Sequence, residues 1–294
     1  MVNSINFDIL VIGSINADLV FTTNKRPSAG ETVIGKDYII IPGGKGANQA
    51  VAAARLGSKV GFIGCVGNDE NGKLLLQNFK DNNVETKYIK VIDSVPSGVA
   101  NIVIAEDDNS IIVIPGANFS ITKAMIDENI DVIKNSKLVL LQLEIPISVV
   151  EYIIGLCYEY NIKTILNPAP SVKLDKFLID KVNYLTPNEH ECIDIIESDN
   201  TDELLSMYPE KLVVTEGPKG VKYHNFKEII RIPSIEVEVV DTTGAGDTFN
   251  GAFATAIVNG AEIYEAITFA NKAAGLSITK LGAQGGMPYK DELK

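Results

Sequence analysis

Short apolar runs rich in Ile and Val alternate with longer helix-like segments through most of this chain, and no other feature of the sequence restricts the fold as strongly. The runs have the length and composition of buried strands; they are residues 7–13, 59–66, 138–143, 162–166, 182–185 and 212–215. The helix candidates are residues 47–56, 72–82, 149–160, 245–258 and 262–279. The alternation predicts an α/β fold with a doubly wound, mainly parallel sheet flanked by helices, built by residues 1–294 as a single domain.

Two regions, residues 18–41 and 95–114, depart from this alternation. Each reads as strands without an intervening helix, and the second contains a hydrophilic turn at residues 106–109. We expect hairpins that form a small second sheet projecting from the main domain, which we call the lid sheet. Such a sheet has one apolar face to cover, so it closes over a ligand, forms a dimer surface, or does both. Two surface hairpins without a function are the alternative.

The charge balance limits the partners of the chain. Its 294 residues include 26 Lys and Arg against 38 Asp and Glu, a net charge of -12, which disfavours binding to nucleic acid or to an anionic membrane. A phosphate-bearing ligand therefore needs a local binding device. The most apolar stretch, residues 138–156, is interrupted by carboxylates, and the apolar run at residues 7–12 is too short for a signal peptide. With only three cysteines, these features predict a cytoplasmic protein without a disulfide framework.

The strongest chemical signal is the glycine-rich stretch DTTGAGDTFNG at residues 241–251, which runs into an Ala-rich amphipathic helix. Small residues let successive backbone N–H groups point outward at the helix start, where the helix dipole adds partial positive charge, so an anion can be held without a lysine. Asp247 falls in the first turn, where its carboxylate could take a proton from an attacking hydroxyl while a phosphoryl group rests on the N–H groups. A simple helix cap is the alternative interpretation.

The two standard nucleotide motifs do not occur in the sequence. It contains no G-x-x-x-x-G-K-[ST], and no G-x-G-x-x-G follows the first strand. The sequence therefore supports neither a P-loop enzyme nor a dinucleotide-binding oxidoreductase.

A second glycine-rich turn, PGGKGAN at residues 42–48, leads into a helix over residues 49–56 that stops at Gly57. Lys45 and Asn48 are three residues apart, on one face of the first helical turn, and both can donate hydrogen bonds to a polyhydroxylated molecule. Glycines in this turn allow a ligand to approach the backbone closely, although a tight turn alone would also explain them.

Asn16 and Asp18 lie on one face of a predicted strand because they are two residues apart. Their amide and carboxylate could hold neighbouring sugar hydroxyls, and an Asx turn at the strand end is the alternative. Glu144 ends the apolar run 138–143, so its carboxylate should emerge at the carboxyl-terminal edge of the sheet, where ligands bind in open α/β folds.

Asn188 and Glu191 share a helix face at positions i and i+3. They could order phosphates and magnesium-bound water, or they could simply begin a helix after Pro187. The segment TEGPKG at residues 215–220 follows a strand and could shape a nucleotide pocket, or serve only as a turn.

The two glycine-rich elements, GGKGANQAVAAA at residues 43–54 and DTTGAGDTFNG at residues 241–251, together resemble the paired signatures of the ribokinase-type carbohydrate kinases of the PfkB family, and the similarity covers nearly the whole chain. The resemblance implies ATP-dependent phosphorylation of the O5 hydroxyl of D-ribose, giving D-ribose 5-phosphate and ADP with Mg²⁺ present. Two alternatives stay open: another kinase of the same fold, for deoxyribose, fructose or a nucleoside, and a sugar-binding regulator that has lost catalysis.

The resemblance also implies roles for individual residues. Asp247 would be the catalytic base, beside an anion hole for the γ-phosphate over residues 243–246, which includes Gly244, Ala245 and Gly246. The sugar would be held by Asn16, Asp18, Gly43, Gly44, Lys45, Asn48, Glu144 and Asp247. The nucleotide and its metal would be bordered by Asn188, Glu191, Thr215, Gly217, Gly220 and Asn271.

Relatives in this family also use a monovalent cation, usually K⁺, beside the anion hole. Its ligands here would be Asp241, Thr243, Ser277, Lys280, Gly282 and Gly286, several of them through backbone carbonyls. Gly286 stands where many relatives carry a side-chain ligand, so this set has one oxygen fewer. The projecting sheet of the family closes over the sugar and pairs two subunits, which implies a homodimer through the lid sheet. Residues 197–211 are shorter than the corresponding segment of relatives, and Asn101 of the lid sheet faces either the sugar or the solvent.

Overall fold

The structure is a computed structural model and describes residues 7–106, 108–196 and 200–293. In chain order, the strands are β1 Ile9–Ile12, β2 Asn16–Thr22, β3 Asp37–Gly43, β4 Val60–Gly67, β5 Glu85–Ile92, β6 Gly98–Ala105, β7 Asp108–Ile114, β8 Leu138–Leu141, β9 Lys163–Leu166, β10 Tyr184–Leu185, β11 Val213–Thr215, β12 Val221–His224 and β13 Ile229–Ile232. The α-helices are α1 Lys45–Arg55, α2 Glu70–Asp81, α3 Lys123–Glu128, α4 Ile130–Lys134, α5 Ile147–Glu159, α6 Lys176–Lys181, α7 Glu189–Ile196, α8 Thr201–Met207, α9 Ala245–Val258 and α10 Ile263–Ser277. Short 3₁₀ turns occupy Gly116–Ser120, Gly217–Lys219 and Lys290–Leu293. None of the described helices combines the length and apolarity that crossing a membrane requires.

Six strands form one parallel sheet in the order β10-β9-β8-β1-β4-β5. β1 lies inside it, where Ile9 pairs with Leu138 of β8 on one side and with Val60 of β4 on the other. The strand order moves outward from β1 in both directions, as in a doubly wound sheet, and all carboxyl ends lie at one edge. The predicted α/β class with a mainly parallel sheet is confirmed.

Helices cover both faces of this sheet, which explains why its central strands are continuously apolar. Along β1, Ile9 and Val11 pack on the side of α1, α9 and α10, whereas Leu10 and Ile12 pack on the opposite side with α5. The alternation follows the two-residue period of a strand. The helices predicted at these places exist, and α9 has the predicted bounds.

The sheet that contains β11 and the edge strand β5 differ from the sequence expectation, which also did not include β12 and β13. Residues 212–215 are not part of the parallel sheet: β11 pairs antiparallel with β12 in a separate three-stranded sheet, β11-β12-β13. Within the described residues, isolated bridges at Leu185–Leu212 and Asn188–Thr215 connect it to the parallel strands. β12 follows β11 after one short turn, so the backbone groups of β11 form their hydrogen bonds with this nearby strand. The pattern also does not predict β5, because this edge strand mixes Glu and Lys with its apolar residues.

The lid sheet is present and has the order β3-β2-β6-β7, which confirms the small second sheet predicted from the two irregular regions. β2 pairs antiparallel with β3 and parallel with β6, and β6 returns through a tight hairpin to β7; residue 107 of the predicted turn lies outside the described residues. Asp18, Val20 and Ile102 line a cleft on one face of the sheet. The register pairs Asn101 with Leu19, so Asn101 lies on the opposite face.

Close packing of α9 on α1 brings the two glycine-rich segments together. Gly251 of α9 faces α1, where a Cβ would lie 2.7 Å from Ala52 Cβ and 2.7 Å from Gln49 O. Only glycine lets the two backbones approach this closely. The short segment before β11 forms α8 and a turn, and its residues 197–199 lie outside the described ranges.

Candidate active site

The carboxyl-terminal edge of the parallel sheet gathers the residues predicted to bind a sugar. Glu144 follows β8 and accepts hydrogen bonds from the backbone N–H of Lys45, at 3.0 Å, and from the hydroxyl of Ser14, at 2.5 Å. Ser14 follows β1, and Lys45 begins α1. One carboxylate therefore joins the ends of two neighbouring strands to the start of the first helix.

The glycines of the first turn allow α1 to approach β2. Gly43 pairs with Asn16 across the strands, and a Cβ on Gly43 would overlap the carboxylate of Asp18. Gly44 has a φ of 88°, which favours glycine, and a Cβ there would lie 2.7 Å from the backbone nitrogen of Asn16. A larger residue at either position would displace the polar side chains of β2.

Asn16 and Asp18 are both buried, with exposed fractions of 3% and 8%. Asn118, in the 3₁₀ turn after the lid sheet, donates from its side chain to Asn16 Oδ1 at 2.7 Å and accepts from the N–H of Ile15 at 2.9 Å. The Asn16 oxygen is thus turned toward Asn118, and its amino group is turned away. Asp18 lines the cleft beneath the lid sheet, a cavity of about 590 Å³ closed on its other side by the turn before α9.

Asp247 lies in the first turn of α9 and is 9% exposed. The side chain of Asn48 donates to its Oδ2 at 2.9 Å, and the side chain of Gln49 donates to its Oδ1 at 3.0 Å. Gln284 in turn donates to Asn48 Oδ1 at 2.9 Å. The two glycine-rich motifs, about 200 residues apart in the chain, therefore meet at one carboxylate.

Burial and like charge perturb the acidic groups of the cleft. Burial raises the pKa of Asp18 to about 7, with further upward contributions from the carboxylates of Glu144 and Asp247. Burial also raises the pKa of Asp247, although Lys45 and its two amide donors act in the opposite direction. Both aspartates are consequently easier to protonate than an aspartate in water.

Lys45 is the cation that faces these acids. Burial alone would lower the pKa of its ammonium group, but the carboxylates of Asp247, Glu144 and Glu191 outweigh that effect and raise it. Lys45 therefore stays charged and partly compensates the negative field of the cleft.

The turn before α9 has the character of an anion site. Gly244 precedes the helix in the left-handed conformation, with a φ of 78°, and no side chain caps the helix within the described structure. The N–H of Ala245 donates to Thr242 O at 3.3 Å. The first amides of a helix point out of its N-terminus and carry partial positive charge, so the start of α9 can receive an anion directly beside Asp247. Within residues 243–246, the N–H groups of Thr243 and Ala245 already donate inside the turn.

A second cavity, of about 480 Å³, borders the same turn. Four of the six residues predicted to border a nucleotide line it, and these are Thr215, Gly217, Gly220 and Asn271. Its other walls include Ile235 and Phe249, so the cavity suits a flat apolar group at a distance from the anion site. A larger surface cavity of about 800 Å³ lies at the amino-terminal edge of β9 and β10 and is lined by none of the predicted site residues.

Asn188 and Glu191 line neither of the two cavities at the active site. Asn188 Oδ1 accepts from the N–H of Glu191 at 2.8 Å, and Glu191 Oε2 accepts from the N–H of Asn188 at 2.9 Å. This reciprocal pair starts α7, which is the alternative interpretation that the sequence left open. Glu191 still lies near enough to Lys45 to raise its pKa.

The residues predicted to hold a monovalent cation lie in two adjoining segments. Asp241 accepts from the N–H of Thr243 at 2.9 Å through Oδ1 and from the N–H of Gly282 at 2.8 Å through Oδ2. These bonds lower the pKa of Asp241 despite its partial burial, so it stays ionised.

The remaining members of that set contribute backbone rather than side chains. A Cβ on Gly286 would overlap the carbonyl oxygen of Ser277, so the space of a side chain is taken by a backbone acceptor. The ammonium group of Lys280 pairs with Glu292 at 3.2 Å. A cation here would therefore meet carbonyl oxygens and one carboxylate.

Four buried residues that support the site were not predicted: Ser14, Gln49, Asn118 and Gln284. Each bonds to a predicted residue from behind instead of facing the cleft. Gln49 directly follows Asn48, and one helical step of about 100° turns it away from the cleft. An isolated Gln in a buried, Ala-rich helix could have indicated that Gln49 binds another buried polar group.

A carboxylate among amide and ammonium side chains at the open start of a helix is the arrangement of a phosphotransferase that acts on a small hydroxylated molecule. The sequence profile of the pfkB family carbohydrate kinases matches residues 6–290. The chain belongs to this family of kinases.

Named relatives support the same assignment along the full length. A ribokinase of Bacillus subtilis (strain 168) is 50% identical over 287 residues, covering 98% of this chain and 98% of that protein. A ribokinase of Lactococcus lactis subsp. lactis (strain IL1403) is 48% identical, covering 97% and 95% of the two chains. The structure of Arabidopsis thaliana ribokinase complexed with ribose and ATP superposes with a TM-score of 0.91 at 31% identity and covers 98% of both chains.

Asp18→Asn should stabilise the protein above neutral pH. The pKa of Asp18 is about 7 in the folded protein and near its ordinary value of 3.8 in the unfolded chain. The folded state therefore binds more protons between pH 4 and 7, and this group makes stability fall as pH rises through that window. We expect the variant to gain about 1–3 kcal/mol in free energy of unfolding at pH 8. We also expect a smaller loss of this free energy between pH 5 and pH 8 than in the wild type, measured by urea denaturation at both pH values.

Asp93→Asn, at an exposed turn, is the matched control and should leave both values within about 0.5 kcal/mol of the wild type. An Asp18→Asn protein no more stable than the wild type at pH 8 would contradict the assigned burial cost.

Proposed function

We propose that this protein is an ATP-dependent ribokinase, which transfers the γ-phosphoryl group of ATP to the O5 hydroxyl of D-ribose and yields D-ribose 5-phosphate and ADP. The observation that carries the proposal is the position of Asp247 in the first turn of α9, a helix whose start lies between the cleft beneath the lid sheet and the second cavity. The ribokinase relatives, one of them solved with ribose and ATP, support ribose as the acceptor.

The sugar lies between Asp18, which lines the cleft beneath the lid sheet, and the residues at the start of α1. Asp18 and Glu144 accept hydrogen bonds from its hydroxyls, and Asn16, Lys45 and Asn48 donate to them. A Cβ on Gly43 would meet the Asp18 carboxylate and one on Gly44 would meet the Asn16 backbone, so glycine at both positions keeps the polar residues of β2 in place beside the sugar. This mixture of donors and acceptors suits an uncharged polyol.

Phosphoryl transfer then takes place at the start of α9. Asp247 accepts the O5 proton as the bond between O5 and the γ-phosphorus forms and the bond to the β,γ-bridging oxygen breaks, with ADP as the leaving group. The amides of Gly244, Ala245 and Gly246 stabilise the charge on the transferring group. The raised pKa of Asp247 makes it a better proton acceptor than an exposed aspartate.

ATP occupies the second cavity, with its base against the apolar wall and its phosphates directed to the helix start. Thr215, Gly217 and Gly220 border the nucleotide, and Asn271 holds the cavity wall by donating to Pro233 O at 2.6 Å. The described residues contain no cluster of three metal-ligating side chains, which fits a Mg²⁺ ion bound chiefly by the phosphates of the substrate. Glu191 is the carboxylate that would contact its water shell, and Asn188 orients Glu191.

A monovalent cation fits beside the anion hole, because the donors there are hard oxygens. The carboxylate of Asp241 and backbone carbonyls of the two adjoining segments would hold K⁺; the segments comprise Thr243, Ser277, Lys280, Gly282 and Gly286. The bound cation would add positive charge near the γ-phosphate. Since Gly286 brings no side-chain oxygen, the backbone carbonyl of Ser277 takes over that part of the site.

The lid sheet serves as a cover for the sugar and as the interface of a homodimer. On its face opposite the cleft, Ile112 and Ile114 of β7 are 66% and 52% exposed. A second copy of the chain would bury this apolar strip. We place the dimer in the cytoplasm, in agreement with three buried free thiols.

Release of ADP in a coupled assay tests the proposed substrate. We expect the highest kcat/KM with D-ribose in a panel that also contains 2-deoxy-D-ribose, D-fructose and adenosine, because two carboxylates of the cleft each need a sugar hydroxyl as a partner. Preference for another member would contradict ribose as the substrate. Sugar binding without ADP release would support the non-catalytic alternative.

Asp247→Asn should lower kcat with ribose by about 10²–10⁴-fold, the usual contribution of a positioned general base. Ribose affinity, measured by calorimetry, should stay within about threefold of the wild type, because the other sugar-binding side chains remain. Asp247→Ala serves as a second variant that brings no new donor toward Asn48. Near-normal turnover in either variant would show that Asp247 is not the base.

A further inference from the structure

Gln49 lies directly behind Asp247 and is completely buried. Its Nε2 donates to Asp247 Oδ1 at 3.0 Å and to Asn167 Oδ1 at 3.0 Å, and its Oε1 accepts from Gln142 Nε2 at 2.6 Å. Both amino hydrogens and the oxygen of this one side chain are thus engaged, and none of them faces the sugar cleft.

The direction of these hydrogen bonds is set from two sides. An ionised Asp247 only accepts, so Gln49 must present its amino group to it. Asn167 donates from Nδ2 to Thr186 O at 3.0 Å, so its oxygen also faces Gln49 and needs a donor. A flipped Gln49 amide would place its oxygen against two acceptors, and only one orientation is compatible with the neighbours.

The orientation of Gln49 leaves one polar atom of Gln142 without a hydrogen-bond partner in the described part of the structure. Its amino group donates to Gln49, and its Oε1 is buried without a hydrogen-bond partner among the described residues, pressed against Gly13 where a Cβ would overlap it. An orphaned buried polar atom costs about 1–3 kcal/mol. Side chains that only fill the interior could be apolar and would avoid this cost. An unpaired oxygen on Gln142 is explained if its amino group is needed to hold Gln49, which in turn donates to the Asp247 carboxylate.

We propose that Gln49 is a positioning residue for phosphoryl transfer, which with Gln142 behind it fixes the plane of the Asp247 carboxylate toward the acceptor hydroxyl. The inference rests on the proposed function, because it assumes that Asp247 acts on a sugar hydroxyl. Asn48 holds the other oxygen of the same carboxylate at 2.9 Å, and between them the two amides leave Asp247 no free rotation. Gln49 itself does not contact the substrate.

Gln49→Met keeps the length of the side chain and removes its hydrogen bonds. We expect kcat to fall about 10–100-fold while KM for ribose and for ATP stays within threefold, because misplacement of a reacting group by a fraction of an ångström penalises the chemical step and not binding. A purely structural role would instead lower thermal stability with kcat unchanged, or change kcat and both KM values together.

Gln77→Met is the matched control. Gln77 lies on the exposed face of α2 and donates to Asp81 Oδ1 at 2.8 Å, so the variant breaks the same kind of pair far from the cleft. We expect its kcat to equal that of the wild type. A Gln49→Met enzyme with the kcat of this control would overturn the inference.

If Gln49→Met does not fold, Gln142→Met decides the question. It leaves Gln49 in place but removes the hydrogen bond that holds its Oε1, so the side chain is anchored only by Asp247 and Asn167 and is less rigid. We expect kcat to fall about 3–10-fold with both KM values unchanged. A kcat equal to the wild type would overturn the inference. The assays use whichever sugar the wild-type enzyme phosphorylates, so a wrong assignment of ribose appears in the wild type, whereas a wrong role for Gln49 appears only in the comparison with the variants.

Discussion

The buried carboxylate of Asp247 is the constraint on which the rest of the structure depends. An ionisable group with 9% exposure is costly to keep charged, and burial raises its pKa accordingly. Three features oppose that cost: the amide donors Asn48 and Gln49, the ammonium group of Lys45, and the positive end of α9. The first two come from α1 and reach Asp247 because α1 and α9 lie side by side, and the third belongs to the helix that carries Asp247.

Helix packing and strand order together create that neighbourhood. Gly251 lets α9 approach α1 until their backbones nearly touch, which sets the distance between Asp247 and its two donors. β1 lies between β8 and β4, so Ser14 after β1 meets Glu144 after β8 at the same edge. Ligand sites in open α/β sheets form at such places, where the connections that follow two neighbouring strands lead to opposite sides of the sheet. The lid sheet continues from β1 and supplies the remaining wall of the cleft.

Features that depend on local pattern could be predicted from the sequence. The continuous apolar run of β1 and the glycine-rich start and apolar composition of α9 each lie within one short stretch of sequence. The pairing of Asn16 with Asp18, and of Lys45 with Asn48, was predictable for the same reason, since each pair shares a face by spacing alone. β5 could not be predicted, because an edge strand that mixes charged and apolar residues lacks the apolar pattern of a buried strand. The antiparallel pairing of β11 could not be predicted either, because the apolar pattern of a strand does not show which neighbour it pairs with. Gln49 and Asn118 escaped prediction because their partners lie about 200 and 100 residues away in the chain.

The most direct test of the account is a crystal structure with D-ribose and a non-hydrolysable ATP analogue bound together. We expect ribose O5 within about 2.6–3.2 Å of an Asp247 carboxylate oxygen, with the terminal phosphate of the analogue on the amides of residues 244–246. Ribose bound with another hydroxyl at Asp247, or a terminal phosphate held away from the start of α9, would contradict it.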